Sequence, residues 1–370
     1  MTLLFVIVFF VLILLSAFFY WLSLRLPAHL KLNRAVENPV LEPVASHWWE
    51  SEAVFNPAAF YSRGRVHLFY RAMGTDGISR IGYASSKDGV HFDERLPYPV
   101  YTPTRGFGIP DPKARKFGPL SYDTHTYASG GGWGGSEDPR IVEMDDKLYM
   151  TFVAFDGWGF VRMALTSLGL ESFAHKDWHW SQALFLSPPG EINKNWLLFP
   201  EKINGKFAIL HSITPKILIE YVDDLSEFDG TKFITNSTRH GGRPGHWDTV
   251  VRGAGAPPIK TKYGWLLFYH GYDPAHPDVG YKVGAMLLDL ADPTKILYRS
   301  SQPVLQAEEW YENDGKPGVT YASGAAVIND TLFVYYGGGD KRIAAASANL
   351  EDFLQKLTAH HHAALTPAKV

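Results

Sequence analysis

The sequence predicts an all-β protein built as a five-bladed β-propeller preceded by one N-terminal transmembrane helix. Three observations lead to the propeller. A turn, an apolar strand and an aromatic-rich strand recur five times along the chain, usually with a third strand. The 34 Gly and 24 Pro are typical of a protein rich in turns. Helical periodicity is confined to residues 350–357. Repeats of several short strands indicate a propeller with one blade per repeat.

Each repeat opens with a proline or a small residue at the start of its first strand. The openings are Pro57, Pro139, Pro200, Pro257 and Ser323. In a propeller the first strands line a central channel, so we expect the openings to converge around one mouth. An insertion at residues 97–135 is rich in Gly and Pro, and we expect its Trp133 to lie at the rim of that mouth, where its ring could stack on a ligand.

The N-terminal stretch predicts the membrane helix. Residues 3–24 form an apolar, uncharged run, and a helix of this length could cross a bilayer. The residues typical of a membrane boundary are Tyr20, Trp21, Arg25, Lys31 and Arg34. By the positive-inside rule, the prediction is a single-pass membrane protein whose large domain lies in the cytoplasm.

These features divide the chain into four parts. They are an anchor at 1–24, a linker at 25–45, the propeller at 46–357 and a disordered tail at 358–370. Because the anchor contributes no propeller strand, we expect the fold to survive removal of residues 1–34.

Composition excludes several classes of function. The net charge of −3 and the lack of a long basic run argue against a nucleic-acid partner. The absence of cysteine excludes disulfides, thiolate nucleophiles and zinc–cysteine sites. We predict no metal site, and the histidines at 360–362 are interpreted as part of the solvated tail. The oligomeric state is not predicted.

The central motif is Glu137-Asp138-Pro139-Arg140, at the start of an apolar run. A buried acid pair can hold one carboxyl protonated beside a neighbour that stays charged. The arginine can bind a carboxylate or an anionic ligand through two hydrogen bonds. The alternative interpretation is a polar turn that enters a strand. Convergence of the repeat openings favours a functional cavity that also contains Asn56 and the Glu201-Lys202 pair.

Six motifs in this order resemble glycoside hydrolase family 130, the β-mannoside phosphorylases and β-mannosidases. They are Tyr70-Arg71-Ala72 with Ser79-Arg80-Ile81-Gly82-Tyr83-Ala84, Glu137-Asp138-Pro139-Arg140-Ile141, Phe199-Pro200-Glu201-Lys202-Ile203, Gly253-Ala254-Gly255-Ala256-Pro257-Pro258, Tyr269-His270-Gly271, and Tyr335-Tyr336-Gly337-Gly338-Gly339-Asp340. The resemblance implies a five-bladed propeller that inverts the anomeric centre of a β-mannoside oligosaccharide.

The resemblance also implies roles for individual residues. Asp138 would be the general acid and would protonate the leaving oxygen through a mannose hydroxyl. Burial beside Glu137 would hold the Asp138 carboxyl protonated near neutrality. The implied substrate-binding residues are Asn56, Arg71, Arg80, Glu137, Arg140, Lys202 and Asp340.

For a phosphorylase the co-substrate is inorganic phosphate, and no other cofactor is implied. The implied phosphate-binding residues are Lys194, Asn195, Arg252, His270 and Tyr281. The sequence departs from the family pattern at three positions. Lys194 stands where an arginine is expected and keeps the positive charge. Ser212 stands where an arginine is expected, and Val251, next to Arg252, stands where a lysine is expected.

Three functions stay open at this point. In the first, the enzyme is a β-mannosidase in which water attacks and Glu220 is the catalytic base. The loss of expected cations from the phosphate-binding residues slightly favours this function. In the second, phosphate attacks and mannose 1-phosphate is released, or the enzyme runs in the synthetic direction. The third is a non-catalytic sugar-binding propeller tethered to the membrane.

Overall fold

Five successive groups of antiparallel strands make up the part of the chain that the structure describes. The computed structural model describes residues 30–105, 108–109, 132, 134–156, 161–235, 241–275 and 280–360. The all-β class is confirmed, because in these ranges only two short α-helices accompany the strands. The helices are α1 (Leu170–Ala174) and α2 (Leu350–His360).

The strands follow the five repeats of the sequence. The first group contains β2 (Ala53–Ser62), β3 (Arg65–Met73), β4 (Ile78–Ser86) and β5 (Glu94–Arg95). A short pair, β6 (Thr104–Arg105) and β7 (Gly108–Ile109), precedes the second group. That group contains β8 (Gly134–Met144), β9 (Lys147–Asp156), β10 (Val161–Gly169) and β11 (Leu184–Phe185).

The other three groups are built in the same way. The third contains β12 (Leu197–Leu198), β13 (Phe207–Ser212) and β14 (Leu218–Val222). The fourth contains β15 (Val250–Ala254), β16 (Ile259–Thr261), β17 (Gly264–Tyr272), β18 (Lys282–Leu288) and β19 (Ile296–Arg299). The fifth contains β20 (Thr320–Ile328), β21 (Thr331–Gly338), β22 (Arg342–Asn349) and the N-terminal β1 (Asn33–Arg34).

The strand pairing does not confirm five separate blades. β4 pairs with β8 in parallel through Ser79 and Gly135, which joins the first two groups into one eight-stranded sheet. The apolar cores lie between neighbouring groups. Phe69 packs with Phe152 between the first and second groups, and Tyr70 shares a core cluster with Tyr335 of the fifth. The first strand β2 also contacts β8 and β20, which brings several repeat openings together.

The predictions made for the two chain ends need correction. In the described ranges, no helix is long and apolar enough to cross a membrane. The predicted transmembrane helix, the membrane as a partner and the membrane localisation are therefore not retained. Residues 3–24, on which they depended, lie outside the described residues. At the other end, α2 extends through residue 360, into the predicted disordered tail at 358–370.

Residues 30–45 contribute to the fold, whereas the sequence predicted a linker. Leu30 and Leu32 are buried in the core cluster between the fourth and fifth groups. The Leu32 amide donates to the carbonyl of Val304 at 2.9 Å. Strand β1 then pairs with β22, so it supplies the outermost strand of the fifth group from the opposite end of the chain.

A buried acid–tyrosine–arginine triad recurs in the first, fourth and fifth groups. In each, a fully buried carboxylate accepts from a tyrosine of a central strand and an arginine of the outermost strand. The triads are Glu50–Tyr70–Arg95, Asp248–Tyr269–Arg299 and Glu312–Tyr336–Arg34. The triads therefore tie the outermost strand to the sheet, where the pairing covers only two to four residues.

The triad of the fourth group shows how completely the charges are compensated. Asp248 Oδ2 accepts from Tyr269 Oη at 2.8 Å and from Arg299 Nη2 at 2.6 Å. Arg299 Nε in turn donates to Tyr269 Oη at 3.0 Å, and Arg243 Nε binds the other Asp248 oxygen at 2.8 Å. Loss of the carboxylate would leave Arg299, itself 2% exposed, as a buried charge with no acid beside it.

We therefore expect Asp248→Asn to lower the free energy of unfolding by about 3–5 kcal/mol, the usual cost of breaking a buried ion pair from one side. Urea unfolding measures this. The control is Lys260→Gln, which breaks the exposed pair of Lys260 with Glu201 and should cost less than about 1 kcal/mol. Equal losses in the two variants would show that the triad has no special role.

Candidate active site

A polar cavity opens where the first strands of the groups meet. Its walls carry carboxylates, cations, amides and phenols. The lining residues are Asn56, Arg71, Asp138, Lys194, Asn195, Arg252, Tyr281, Lys316, Tyr321 and Asp340. They come from several groups of strands, so only the folded chain brings them together.

Two of the lining residues, Asn56 and Asp138, lie on β-bulges. The register of β2 shifts between Phe55 and Ala58, and that of β8 shifts between Glu137 and Arg140. Asn56 and Asp138 have φ angles of 47° and 50°, a region that Asn and Asp tolerate better than most residues. A bulge leaves its extra residue unpaired and redirects the side chain. The proline that follows each of them fits such a position because it has no N–H to donate.

Asp138 is buried and held by a neutral donor and a cation. Its Oδ1 accepts from Asn56 Nδ2 at 2.8 Å and lies 3.4 Å from Arg71 Nη1. Burial alone would raise the pKa of Asp138. The positive charges of Arg71, Arg140 and Lys194 outweigh burial, and the pKa of this carboxyl lies below its ordinary value. This direction is opposite to the predicted one, in which burial holds the carboxyl protonated near neutrality.

Asp340 is the second carboxylate of the lining, and its environment shifts its pKa in the opposite direction from that of Asp138. Burial raises its pKa, and the negative charge of Asp138 adds to that effect, although Lys316 and Arg71 oppose it. The two carboxyls thus differ in proton affinity. Asp138 is the stronger acid and Asp340 the weaker one.

Glu137 and Arg140 lie behind the cavity wall and hold its residues in place. Glu137 Oε1 accepts from Arg71 Nη2 at 2.7 Å, and its Oε2 lies 3.5 Å from Lys194 Nζ. Arg140 Nη1 donates to the main-chain carbonyl of Asp138 at 2.6 Å. Its Nη2 donates to Asn195 Oδ1 at 3.2 Å. Neither Glu137 nor Arg140 lines the cavity, so the prediction that they bind substrate is corrected to a positioning role.

Four of the five predicted phosphate-binding residues line the cavity, and His270 does not. The His270 ring stacks on Tyr321 at a centroid distance of 3.9 Å and is fully buried. Its Nε2 lies 2.7 Å from the carbonyl of Ala322, so Nε2 carries the proton. Burial, reinforced by the charge of Arg140, lowers the pKa of His270 to about 3. The neutral ring supports Tyr321 and offers no charge to an anion.

The structure places Glu220, the predicted hydrolytic base, away from this cavity. It lies on β14 opposite Ile209, and its side chain is 37% exposed. Its carboxylate lies 4.0 Å from Lys232 Nζ. The prediction of Glu220 as a base is therefore wrong.

Three further positions do not line the cavity. Arg80 binds Asp76 at 2.7 Å, and Lys202 Nζ lies 4.5 Å from the centroid of the Phe207 ring. Ser212 Oγ donates to the carbonyl of Thr214 at 2.9 Å. The predicted substrate contacts of Arg80 and Lys202 are corrected accordingly. Trp133 lies outside the described residues.

Sequence reasoning missed Tyr321 and Lys316. Tyr321 accepts from Arg140 Nη2 at 3.1 Å and also contacts Asn195 Oδ1, so it joins the residues beneath Asp138. Its position two residues before the opening Ser323 is a signal that could have found it. Lys316 lies in the loop before β20 and belongs to no motif. Among the described residues, no group of three or more histidines and acids is arranged to hold a metal.

A pair of carboxylates in one cavity is the arrangement that most glycoside-cleaving enzymes use. Comparison with known proteins gives the family. The family model described as beta-1,4-mannooligosaccharide phosphorylase matches residues 129–359. The chain belongs to glycoside hydrolase family 130 and is an enzyme that acts on β-mannosides.

Two curated relatives extend the match over most of the chain. The 1,2-beta-oligomannan phosphorylase of Thermoanaerobacter sp. (strain X514) is 39% identical over 335 residues, which cover 87% of this chain and 99% of that protein. The beta-1,2-mannobiose phosphorylase of the same organism is 34% identical over 333 residues, which cover 85% of this chain and 96% of that protein.

A solved structure is also similar. The beta-1,2-mannobiose phosphorylase from Listeria innocua, in complex with beta-1,2-mannobiose, superposes with a TM-score of 0.65 at 27% identity. The match covers 88% of this chain and 99% of that one.

Proposed function

We propose that this enzyme is an inverting phosphorylase of β-1,2-linked manno-oligosaccharides that releases α-mannose 1-phosphate. The observation that carries the proposal is the cluster of cations in the lining, Lys194, Arg252 and Lys316, in the same cavity as the acid Asp138. A phosphate anion needs several charge-assisted donors, and these side chains provide them with Asn195 and Tyr281. The relatives named above support the β-1,2 linkage, and the family model's own description is of a β-1,4 enzyme.

The hydrolytic alternative loses its support in two ways. Its predicted base, Glu220, does not line the cavity, and the matched relatives are named as phosphorylases. The non-catalytic alternative is not retained, since the chain is an enzyme of this family. Phosphate is the co-substrate of the family's phosphorylases.

In the proposed reaction, a phosphate oxygen attacks the anomeric carbon while the bond to the leaving sugar oxygen breaks. The leaving oxygen receives the Asp138 proton through a mannose hydroxyl, as the family resemblance implies. Hydrogen phosphate loses its own proton on forming the ester, and that proton returns Asp138 to its protonated form, so the overall proton balance closes. The cations around Asp138 outweigh its burial and lower its pKa below the ordinary value. A phosphate bound to Lys194 would offset part of that positive charge and raise the proton affinity of Asp138.

The test is to incubate the enzyme with β-1,2-mannobiose and β-1,4-mannobiose, with and without phosphate. We expect a rate that rises in proportion to phosphate at low concentration, with mannose 1-phosphate as product and the β-1,2 isomer preferred. Proton NMR of the first product should show the α anomer. Release of free mannose at a rate that ignores phosphate would contradict the proposal and make Asp340 the candidate base for hydrolysis.

A further inference from the structure

We propose that Lys316 contacts the phosphate directly, as a third cation of the phosphate subsite. The inference rests on the proposed phosphorolytic function and names a residue that belongs to none of the motifs of the sequence. Lys316 lies between a short 3₁₀-helix (Trp310–Glu312) and β20, far along the chain from Lys194 and Arg252.

Lys316 and Arg252 approach the same phenol ring at the cavity wall. Lys316 Nζ lies 5.8 Å from the centroid of the Tyr281 ring, and Arg252 Cζ also lies 5.8 Å from it. All three residues line the cavity. A phosphate bound beside this ring would be attracted by both cations. The Tyr281 hydroxyl is a further donor for the same anion.

The backbone holds Lys316 in this position. Its amide donates to the carbonyl of Gly339 at 2.7 Å, directly before Asp340. The preceding Gly315 has a φ angle of 118°, and a Cβ there would lie 2.4 Å from the Gly339 carbonyl oxygen. Only glycine allows the loop to approach so closely. The lysine side chain is 33% exposed, so it is partly enclosed by the wall of the cavity.

The charges already present leave Lys316 and Arg252 available for a ligand. Arg71 and Lys194 are close to Glu137, at 2.7 and 3.5 Å. Lys316 Nζ lies 3.9 Å from Asp340 Oδ2, which is longer than a hydrogen bond. Arg252 hydrogen-bonds the neutral Tyr281 side chain. The arginine that the family resemblance places at Ser212 is absent from this chain.

A competing role for Lys316 is to neutralise Asp340 on the sugar side of the cavity. The two roles differ in which substrate they affect. A phosphate contact changes the KM for phosphate, whereas a partner of Asp340 changes the KM for the glycan.

The test compares wild type with Lys316→Gln and Lys316→Arg in phosphorolysis, with each substrate varied at saturation of the other. A charged hydrogen bond is worth roughly a 10- to 100-fold change in affinity. We expect Lys316→Gln to raise the KM for phosphate by about that factor and to leave the KM for mannobiose within about threefold. Lys316→Arg should keep most of the phosphate affinity. The matched control is Lys295→Gln, at an exposed lysine paired with Asp292 outside the cavity, which should change neither constant.

Calorimetric titration with inorganic phosphate gives a second readout that does not need turnover, and it should show weaker binding to Lys316→Gln. An unchanged phosphate affinity with a raised KM for mannobiose would overturn the inference and leave the phosphorolytic function standing. A wild-type rate that ignores phosphate would overturn both. A thermal melt of each variant excludes unfolding as the cause of a loss.

Discussion

Replacement of Asp138 by asparagine should lower the turnover of β-mannoside phosphorolysis by about 10²–10⁴-fold, the usual contribution of general acid catalysis. Asparagine matches the size of aspartate but has no proton of the required acidity. The fold should persist, because the amide oxygen can still accept from Asn56 Nδ2 and because Arg71 keeps its bond to Glu137. Steady-state phosphorolysis with a thermal melt of the same preparation measures both effects.

Glu220→Gln is the matched control for this experiment. It also removes one carboxylate, but from a half-exposed position on β14 near Lys232, and it should leave turnover within about twofold. Loss of activity in Glu220→Gln with retention in Asp138→Asn would reverse the assignment of the acid. Retention in both variants would direct the search to Asp340.

Removal of residues 1–34 should lower the stability of the protein by several kcal/mol. The deletion takes away Leu30 and Leu32, and each buried leucine contributes about 1.5–3 kcal/mol. It also leaves the buried carboxylate of Glu312 without Arg34, whose Nε lies 2.9 Å from it. Urea unfolding midpoints before and after deletion measure the loss. This expectation reverses the one that the linker interpretation gave.

The control is a shorter deletion, of residues 1–29, which keeps both leucines and β1. It should unfold at a clearly higher urea concentration than the longer deletion. Equal midpoints for the two proteins would show that β1 adds nothing to the fifth group.

The sequence by itself determined the class of fold and the family, and it pointed to Asp138 as the candidate acid. The strands are marked by local patterns of apolar and aromatic residues between turns. Such a pattern can be recognised from the sequence because it depends only on neighbouring residues. The Asn56-Pro57 and Asp138-Pro139 pairs are local as well, because a bulge depends on φ preferences and on a missing N–H. The pattern could not place Glu220, since alternation along β14 does not say which face meets the cavity.

Only the tertiary structure decided which charges share the cavity and which residues form the outermost strand of the fifth group. Lys316 reaches the cavity from a loop that is held against Gly339, and no sequence motif marks that contact. His270 has a family motif around it, yet burial beneath Tyr321 makes it neutral. Arg34 meets Glu312 across most of the length of the chain. Contacts and proton affinities of this kind depend on burial and on distances between remote segments, and these exist only once the chain is folded.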